Sequence, residues 1–161
     1  MKEIYFLRHA NAPEEIFMDD IERPIGVTGK IEASRVAFYA KEHLKAPEVC
    51  FVSHAKRTQQ TARYFKEAWD IKNDRYILST DLYDFDGEKV KDFIYNLSEA
   101  WSRVLLVGHN FAITELVNYF GDKSVNSLPT SSLVSIVFEC EYWHSLKKGK
   151  TTNIILADAL I

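Results

Sequence analysis

Residues 104–108, Val-Leu-Leu-Val-Gly, are apolar at every position up to the final glycine. A strand with one face in water alternates apolar and polar residues, whereas a strand covered on both faces is apolar throughout. Strands of the second kind lie in parallel sheets, where neighbouring strands are joined by crossovers that are usually helices. The segment therefore predicts an α/β fold with a mostly parallel sheet between two layers of helices.

The rest of the chain alternates strand-like and helix-like patterns, as this architecture requires. The predicted strands are residues 3–8, 49–53, 75–78, 104–108, 132–140 and 152–156. Apolar residues at helical spacing predict helices from Thr28-Gly29 to Leu44, over 57–69, from Val90 to Trp101, and from Ile113 to Phe120.

The segment Lys147-Lys148-Gly149-Lys150 predicts a solvated turn that joins the last two strands as a hairpin. The chain has no internal repeat, linker or low-complexity tract. We therefore expect residues 1–161 to form a single three-layer α/β/α domain with about six strands.

Composition narrows the class of protein. The chain is 47% hydrophobic and carries a formal charge of −3, so no overall basic field attracts nucleic acid or an anionic membrane. No apolar stretch approaches the roughly 20 residues of a membrane-spanning helix. Cys50 and Cys140 stand alone, without the paired spacing of a zinc site or a disulfide framework. We expect a monomeric cytoplasmic protein that binds neither nucleic acid nor membrane, with both cysteines reduced in its core.

Cationic or imidazole side chains follow three of the predicted strands. Arg8 and His9 end the first strand, Arg57 lies just beyond the second, and His109 ends the fourth. In open α/β sheets, ligands bind beyond the carboxyl ends of the strands, and the following helices direct their positive N-termini to the same place. Asn110 is suited to cap the helix after His109. If these strands are neighbours, the residues share one crevice that favours an oxyanion.

Phosphoryl transfer needs these residue types together. Its transition state spreads charge over three equatorial oxygens, and the planar fork of arginine donates two parallel hydrogen bonds to phosphate. A neutral imidazole nitrogen is nucleophilic near neutral pH and can carry a phosphoryl group transiently. Two arginines and two histidines can do this chemistry without a metal or a cofactor, and we expect neither.

Three segments resemble, in order, the signature segments of the histidine phosphatase superfamily. They are Leu7-Arg8-His9-Ala10, Ser53-His54-Ala55-Lys56-Arg57-Thr58-Gln59-Gln60-Thr61 and Val107-Gly108-His109-Asn110. The short length, Ala10 where many members have glycine, and Arg23-Pro24-Ile25 before Gly29 are similar to the SixA-like phosphohistidine phosphatase branch. The resemblance covers nearly the whole chain. It implies a compact phosphoglycerate mutase-like fold without a large insertion.

The resemblance also implies roles for the matching residues. His9 would be the phosphorylated nucleophile, and the phosphoryl group would be bound by Arg8, Arg57 and His109. Residues near the pocket that would contact the substrate are Asn110, Arg23 and Thr130.

The sequence departs from the family's pattern at several positions. His54 stands where proline is usual, for which we favour an altered loop over a further pocket residue, and Gly26 stands where threonine is common. Many larger relatives supply an acidic residue after the third strand to protonate the leaving group. Residues 81–88 offer Asp84 and Glu88 as candidates beside two further aspartates, although a solvated turn that starts a helix is the simpler interpretation.

Three functions are consistent with these residues. The first is a phosphatase that forms phospho-His9 and removes phosphate from phosphohistidine on a protein, for example on a phosphotransfer domain. An imidazole leaving group, with a conjugate-acid pKa near 6.5, needs no strong acid, which favours a P–N bond over an alkyl phosphate ester. The second is a phosphomonoesterase of broad specificity that acts on small phosphate esters. The third is a noncatalytic phosphate-binding module.

Overall fold

The computed structural model describes residues 1–160, and its helices and strands alternate along most of the chain. In chain order they are β1 (Lys2–Arg8), α1 (Val27–His43), β2 (Val49–Ser53), α2 (Lys56–Ala68), β3 (Tyr76–Ser79), α3 (Glu88–Tyr95), β4 (Arg103–Gly108), α4 (Ala112–Phe120), β5 (Leu133–Phe138) and β6 (Lys150–Ile155).

The strands form one six-stranded sheet in the order β3-β2-β4-β1-β5-β6. β3, β2, β4 and β1 are parallel, whereas β5 is antiparallel to both of its neighbours. The all-apolar segment 104–108 lies in an interior strand, and its residues are buried. Both the mostly parallel sheet and the inner position of this strand confirm the sequence prediction.

Helices cover both faces of the sheet, because alternate strand residues point to opposite sides. On one face Tyr5 and Leu7 of β1 belong to an apolar cluster with residues of α1 and α2. On the other face Ile4 and Phe6 belong to a cluster with residues of α3 and α4. The predicted three-layer α/β/α fold is therefore confirmed.

The third helix is shorter than its apolar spacing predicted. It ends at Tyr95, and Asn96 is its C-cap. Leu97 and Trp101 lie beyond the helix but pack against the same cluster as the helix does. Since the chain turns without leaving that cluster, the apolar spacing continues past the point where helical hydrogen bonding stops.

The connection between β5 and β6 is not the tight hairpin turn that the lysines predicted. The strands do pair in antiparallel fashion, but β5 ends at Phe138 rather than Cys140, and β6 already begins at Lys150. Between them Trp143 begins a 3-10 turn, is fully buried, and donates its indole N–H to the carbonyl oxygen of Trp101 at 3.0 Å. The connection thus contributes a core residue. The lysine-rich segment that follows Trp143 indicated only a solvated turn.

Two further features bear on the sequence predictions. Both cysteines are free; Cys50 is buried in the sheet as expected, but Cys140 is only half-buried because β5 has already ended. Among the described helices, none is long and apolar enough to cross a membrane.

Candidate active site

The carboxyl ends of β1 and β4 bring the two predicted histidines together. Arg8 is the register partner of Gly108, and the His9 N–H donates to the Gly108 carbonyl oxygen at 3.0 Å. The rings of His9 and His109 consequently lie with their centroids 5.4 Å apart. This pairing places both imidazoles at one edge of the sheet.

The tautomer of His9 is set by its own backbone. Its Nδ1 lies 2.7 Å from the Ala10 carbonyl oxygen, which can only accept, so Nδ1 carries the proton and Nε2 carries a lone pair. Burial, opposed by the hydrogen bond to Ala10 and assisted by the charges of Arg57 and Arg8, lowers the pKa of His9 to about 4. His9 is therefore neutral at physiological pH, with Nε2 ready to act as a nucleophile.

His109 is held by hydrogen bonds at both ring nitrogens. Arg57 Nη2 lies 3.2 Å from Nδ1, and because a guanidinium can only donate, Nδ1 accepts. Nε2 then carries the proton and donates to Ser53 Oγ at 2.8 Å. Burial, followed by the charge of Arg57, lowers the pKa of His109 to about 2. In this state His109 is neutral and completes a chain from Arg57 to Ser53.

Asp20 is the main partner of Arg57, and the sequence did not predict this role. Arg57 Nη2 donates to Asp20 Oδ2 at 2.9 Å, and Nη1 donates to the Asp20 carbonyl oxygen at 2.6 Å. The Tyr83 hydroxyl donates to the same carboxylate at 2.6 Å, and Arg23 Nε donates to its other oxygen at 3.1 Å. Burial is the largest single effect and raises the pKa of Asp20, but these bonds and the charge of Arg57 together outweigh it and hold that pKa well below its usual range. The carboxylate thus neutralises part of the positive charge at the strand ends.

Each arginine of the site keeps an unsatisfied donor. Arg8 Nη1 donates to the Leu128 carbonyl oxygen at 2.7 Å, but its Nε is buried without a partner among the described residues. The Nε of Arg57, whose side chain is almost wholly buried, also lacks a partner in this part of the chain. An unsatisfied buried donor costs roughly 1–3 kcal/mol, more when it is charged. Two such donors beside neutral imidazoles indicate a site prepared for an anion.

Arg23 lies near this cluster, as predicted, and a hydrogen bond to Asp20 connects it to the cluster. Besides its bond to Asp20, its Nη1 donates to the carbonyl oxygens of Ala12 and Pro13, at 2.8 and 3.1 Å. Its charge lowers the pKa values of His9 and His109. Arg23 therefore fixes the loop after β1 and adds to the positive field.

The predicted contact residues Thr130 and Asn110 are engaged in structural hydrogen bonds. The Thr130 hydroxyl donates to Glu32 on α1 at 2.9 Å, and the next N–H, of Ser131, donates to the His9 carbonyl oxygen at 3.1 Å. Asn110 Oδ1 accepts from both the backbone N–H and the hydroxyl of Thr114, at 3.1 and 2.7 Å.

Asn110 is not the N-cap of α4 that the sequence predicted. The helix begins at Ala112, so its N-cap is Phe111. The Asn110 side chain nevertheless accepts an N–H group of the first turn, which is the service a cap performs. Its amide therefore holds the start of α4 against the loop that follows His109.

Neither candidate acid contacts the histidines. Asp84 is buried and accepts the N–H groups of Val90 and Asp86, at 3.1 and 3.4 Å, and thereby holds the start of α3. Glu88 is exposed and forms an ion pair with Lys91 at 3.4 Å. This geometry fits a turn that starts a helix better than it fits a segment that supplies a general acid.

The same loop supplies an aromatic wall that the sequence did not predict. The rings of Tyr83 and Phe85 lie 5.2 and 5.0 Å from that of His109. The ring of His54 packs edge-on against that of Tyr83, with centroids 5.5 Å apart. The wall desolvates His109 and contributes to its low pKa.

In residues 1–160, no group of three or more His, Cys, Asp or Glu side chains could hold a metal ion.

Sequence signals for the missed residues are weak. Ser53 belongs to the second of the three motif segments, but serine at a strand end is common. Asp20 stands three residues before Arg23 in an acidic cluster that a solvated loop would equally explain. Only the folded loop after β1 reveals that Asp20 meets Arg57.

Comparison with known proteins identifies the fold. No protein-family model matches the sequence, and no curated protein matches it either. Among solved structures, the fold is similar to the protein histidine phosphatase SixA complexed with tungstate, with a TM-score of 0.83, 20% identity and 99% of each chain covered. It is also similar to a protein from Agrobacterium tumefaciens named as the phosphohistidine phosphatase SixA, with a TM-score of 0.80 and 21% identity over 96% of this chain and 97% of that one.

A mycobacterial glucosyl-3-phosphoglycerate phosphatase has the same fold at a TM-score of 0.73 and 12% identity, over 93% of this chain and 96% of that one. The phosphoglycerate mutase-like fold of the histidine phosphatases, predicted from three short segments, is therefore the fold of this chain.

Proposed function

We propose that this protein is a phosphatase that forms a phosphohistidine intermediate on His9 and removes phosphate from phosphohistidine on a protein. The observation that carries the proposal is the bond from His9 Nδ1–H to the Ala10 carbonyl oxygen, which leaves a neutral Nε2 beside Arg8 and Arg57. Similarity of fold to SixA, a protein histidine phosphatase, supports the same substrate class.

In the first step His9 Nε2 attacks phosphorus in line with the bond to the leaving nitrogen. A new P–N bond forms to His9, the old P–N bond breaks, and its electron pair stays on the leaving imidazole, which takes a proton from solvent. The free Nε donors of Arg8 and Arg57 offer hydrogen bonds to the phosphoryl oxygens. They stabilise negative charge where it develops.

His109 responds to the charge of the phosphoryl group. A dianion beside the ring favours imidazolium and raises the pKa of His109 from its depressed value. Once protonated, Nδ1 no longer accepts from Arg57 and can donate to a phosphoryl oxygen. His109 thereby changes from a neutral spacer to a donor when substrate binds.

In the second step water attacks phospho-His9. The water oxygen forms a new P–O bond, the P–N bond breaks with its electron pair returning to Nε2, and inorganic phosphate leaves as one proton of the water passes to solvent. The hydrogen bond from Nδ1–H to Ala10 persists through both steps, because it involves the nitrogen that does not react. It keeps the ring in one orientation for attack and for release.

A substrate with a P–N bond suits the position of the acidic residues. The carboxylates of Asp84 and Glu88 are bonded elsewhere, and departure of an imidazole does not require a strong acid. An alkoxide leaving group does require one. Phosphohistidine is therefore a better substrate for this site than an alkyl phosphate.

Labelling tests the intermediate. Brief incubation with a labelled phosphoryl donor, followed by quenching in alkali, should leave acid-labile label on the protein. His9→Ala should remove the label, whereas His43→Ala, which replaces an exposed histidine of α1, should retain it. Equal labelling of the His9→Ala protein would contradict the proposal.

A comparison of substrates tests the second half of the proposal. Phosphohistidine, free or on a protein, should be hydrolysed with a higher kcat/KM than small phosphate esters. A large preference for esters would instead assign the site to a phosphomonoesterase.

A further inference from the structure

Three consecutive apolar side chains are exposed in the loop between β1 and α1. The side chains of Ile16, Phe17 and Met18 are 87, 96 and 42% exposed. A run of this kind on the surface of a folded protein is unfavourable unless it serves a function, because it exposes apolar area that folding normally buries. Nothing in the fold requires it, since this turn packs against neither face of the sheet.

The run is linked to the proposed phosphoryl site through Asp20. Ile16 and Met18 line a surface cavity of about 230 Å³ together with Asp20 and Arg23. Asp20 in turn holds Arg57 through its carboxylate and its carbonyl oxygen. Ile16 and Met18 therefore share a cavity with the residue that binds Arg57.

Two exposed aromatic residues lie near His109 in space or in sequence. Phe85 is exposed and its ring lies 5.0 Å from that of His109, and Phe111, also exposed, follows His109 by two residues. We refer to Ile16, Phe17, Met18, Phe85 and Phe111 as the apolar rim. His9 itself is only 7% exposed, so little of its side chain can be reached from the surface.

Around the apolar rim the negative charges are exposed, whereas the positive charges are buried or half-buried. Glu14, Glu15 and Asp19 are exposed carboxylates that flank the run on both sides, and no basic residue lies between His9 and Arg23. The positive charge of the site is confined to the buried or half-buried arginines. A complementary surface carries a phosphoryl group at its centre, apolar side chains around it and basic side chains beyond them.

We propose that the apolar rim is the docking surface for the protein that carries the substrate phosphohistidine, on a partly apolar surface with basic side chains beside the modified residue. This inference rests on the proposed function and adds the surface that selects the partner. An anionic membrane fits less well, because the flanking carboxylates repel its headgroups. A second copy of this chain fits less well too, because a symmetric contact would bring the same carboxylates together.

The test compares two substrates and two variants. The substrates are a phosphotransfer protein phosphorylated on histidine and free phosphohistidine, which carries no protein surface that could dock. The rim variant is Ile16→Ser with Phe17→Ser. The control is Phe38→Ser, which removes an aromatic side chain that is 68% exposed on α1.

The rim variant should raise KM for the phosphorylated protein by about tenfold or more, since exposed aromatic side chains are frequent binding hot spots. Its kcat/KM for free phosphohistidine should equal that of the wild type, which also shows that the variant is folded. The Phe38→Ser control should match the wild type with both substrates.

Other results separate this inference from the proposed function. If the wild type hydrolyses both substrates and the rim variant does so equally well, the docking surface is refuted and the proposed function stands. If the wild type hydrolyses neither, both fall. Loss of both activities in the folded rim variant would place these side chains in the catalytic machinery and refute docking. Wild-type sedimentation with anionic vesicles, or a dimer that the rim variant abolishes, would assign the rim to a different occupant.

Discussion

The two buried histidines should make the stability of this protein depend strongly on pH between 7 and 5. In the folded chain the pKa of His9 is lowered to about 4 and that of His109 to about 2, mainly because burial disfavours the imidazolium. In the unfolded chain both titrate near 6.5. As pH falls through 6.5 the unfolded chain therefore takes up protons that the folded chain does not, and the free energy of unfolding decreases.

The size of the effect follows from these values. At pH 5 an unfolded histidine is almost fully protonated, and the folded ones remain mostly neutral, so each contributes a loss of about 2 kcal/mol relative to pH 7. The two together should lower the free energy of unfolding by about 4 kcal/mol. The corresponding fall in Tm is about 4–8 °C for each histidine in a domain of this size. Asp20, whose folded pKa is also lowered, loses its contribution only at pH values below about 4.

Urea unfolding followed by circular dichroism at pH 8, 7 and 5 measures the effect. Stability should be nearly constant between pH 8 and 7 and should fall between pH 7 and 5. His9→Asn should remove about half of that fall, whatever it does to the stability at pH 7. A wild type of equal stability at pH 7 and 5, or an undiminished fall in the variant, would refute the assignment of neutral buried imidazoles.

Two further changes test the site and the core. Asp20→Asn removes a negative charge that competes for Arg57, so the affinity for inorganic phosphate, measured by isothermal titration calorimetry, should rise about fivefold; weaker binding would show that Asp20 is needed to position Arg57. Trp143→Ala empties a fully buried position and should lower the free energy of unfolding by about 3–5 kcal/mol in urea; a loss below about 1 kcal/mol would show that the β5–β6 connection does not stabilise the core.

The sequence predicted those residues of the site whose positions depend only on the strands and helices that carry them. Arg8, His9 and His109 each lie at the end of a strand, and Arg57 lies in the first turn of the helix after β2. Once the strands are parallel neighbours, their ends must meet. The apolar pattern of 104–108 and its neighbours was sufficient for that inference, because register in a buried sheet is fixed by burial.

The sequence did not predict what loops bring to the site. Asp20 reaches Arg57 because the loop after β1 folds back, and Tyr83 reaches Asp20 across 63 positions of sequence. Loop conformation depends on hydrogen bonds such as those from Arg23 to Ala12 and Pro13, which leave no periodic pattern in the sequence. The same limit explains Trp143, whose burial depends on an irregular connection and not on a strand or helix.

The inner position of β1 delays the assembly of the site during synthesis. Its two neighbours, β4 and β5, begin about a hundred residues or more downstream, and the His9 carbonyl oxygen is bound by Ser131. At a translation rate of about 5–20 residues per second, the ribosome needs roughly 6–25 s to reach these partners after it has made Arg8 and His9. A nascent or truncated chain that lacks β5 therefore contains the proposed nucleophile, His9, but lacks the Ser131 bond that holds its backbone in place. The proposed activity therefore depends on residues that are synthesised long after His9.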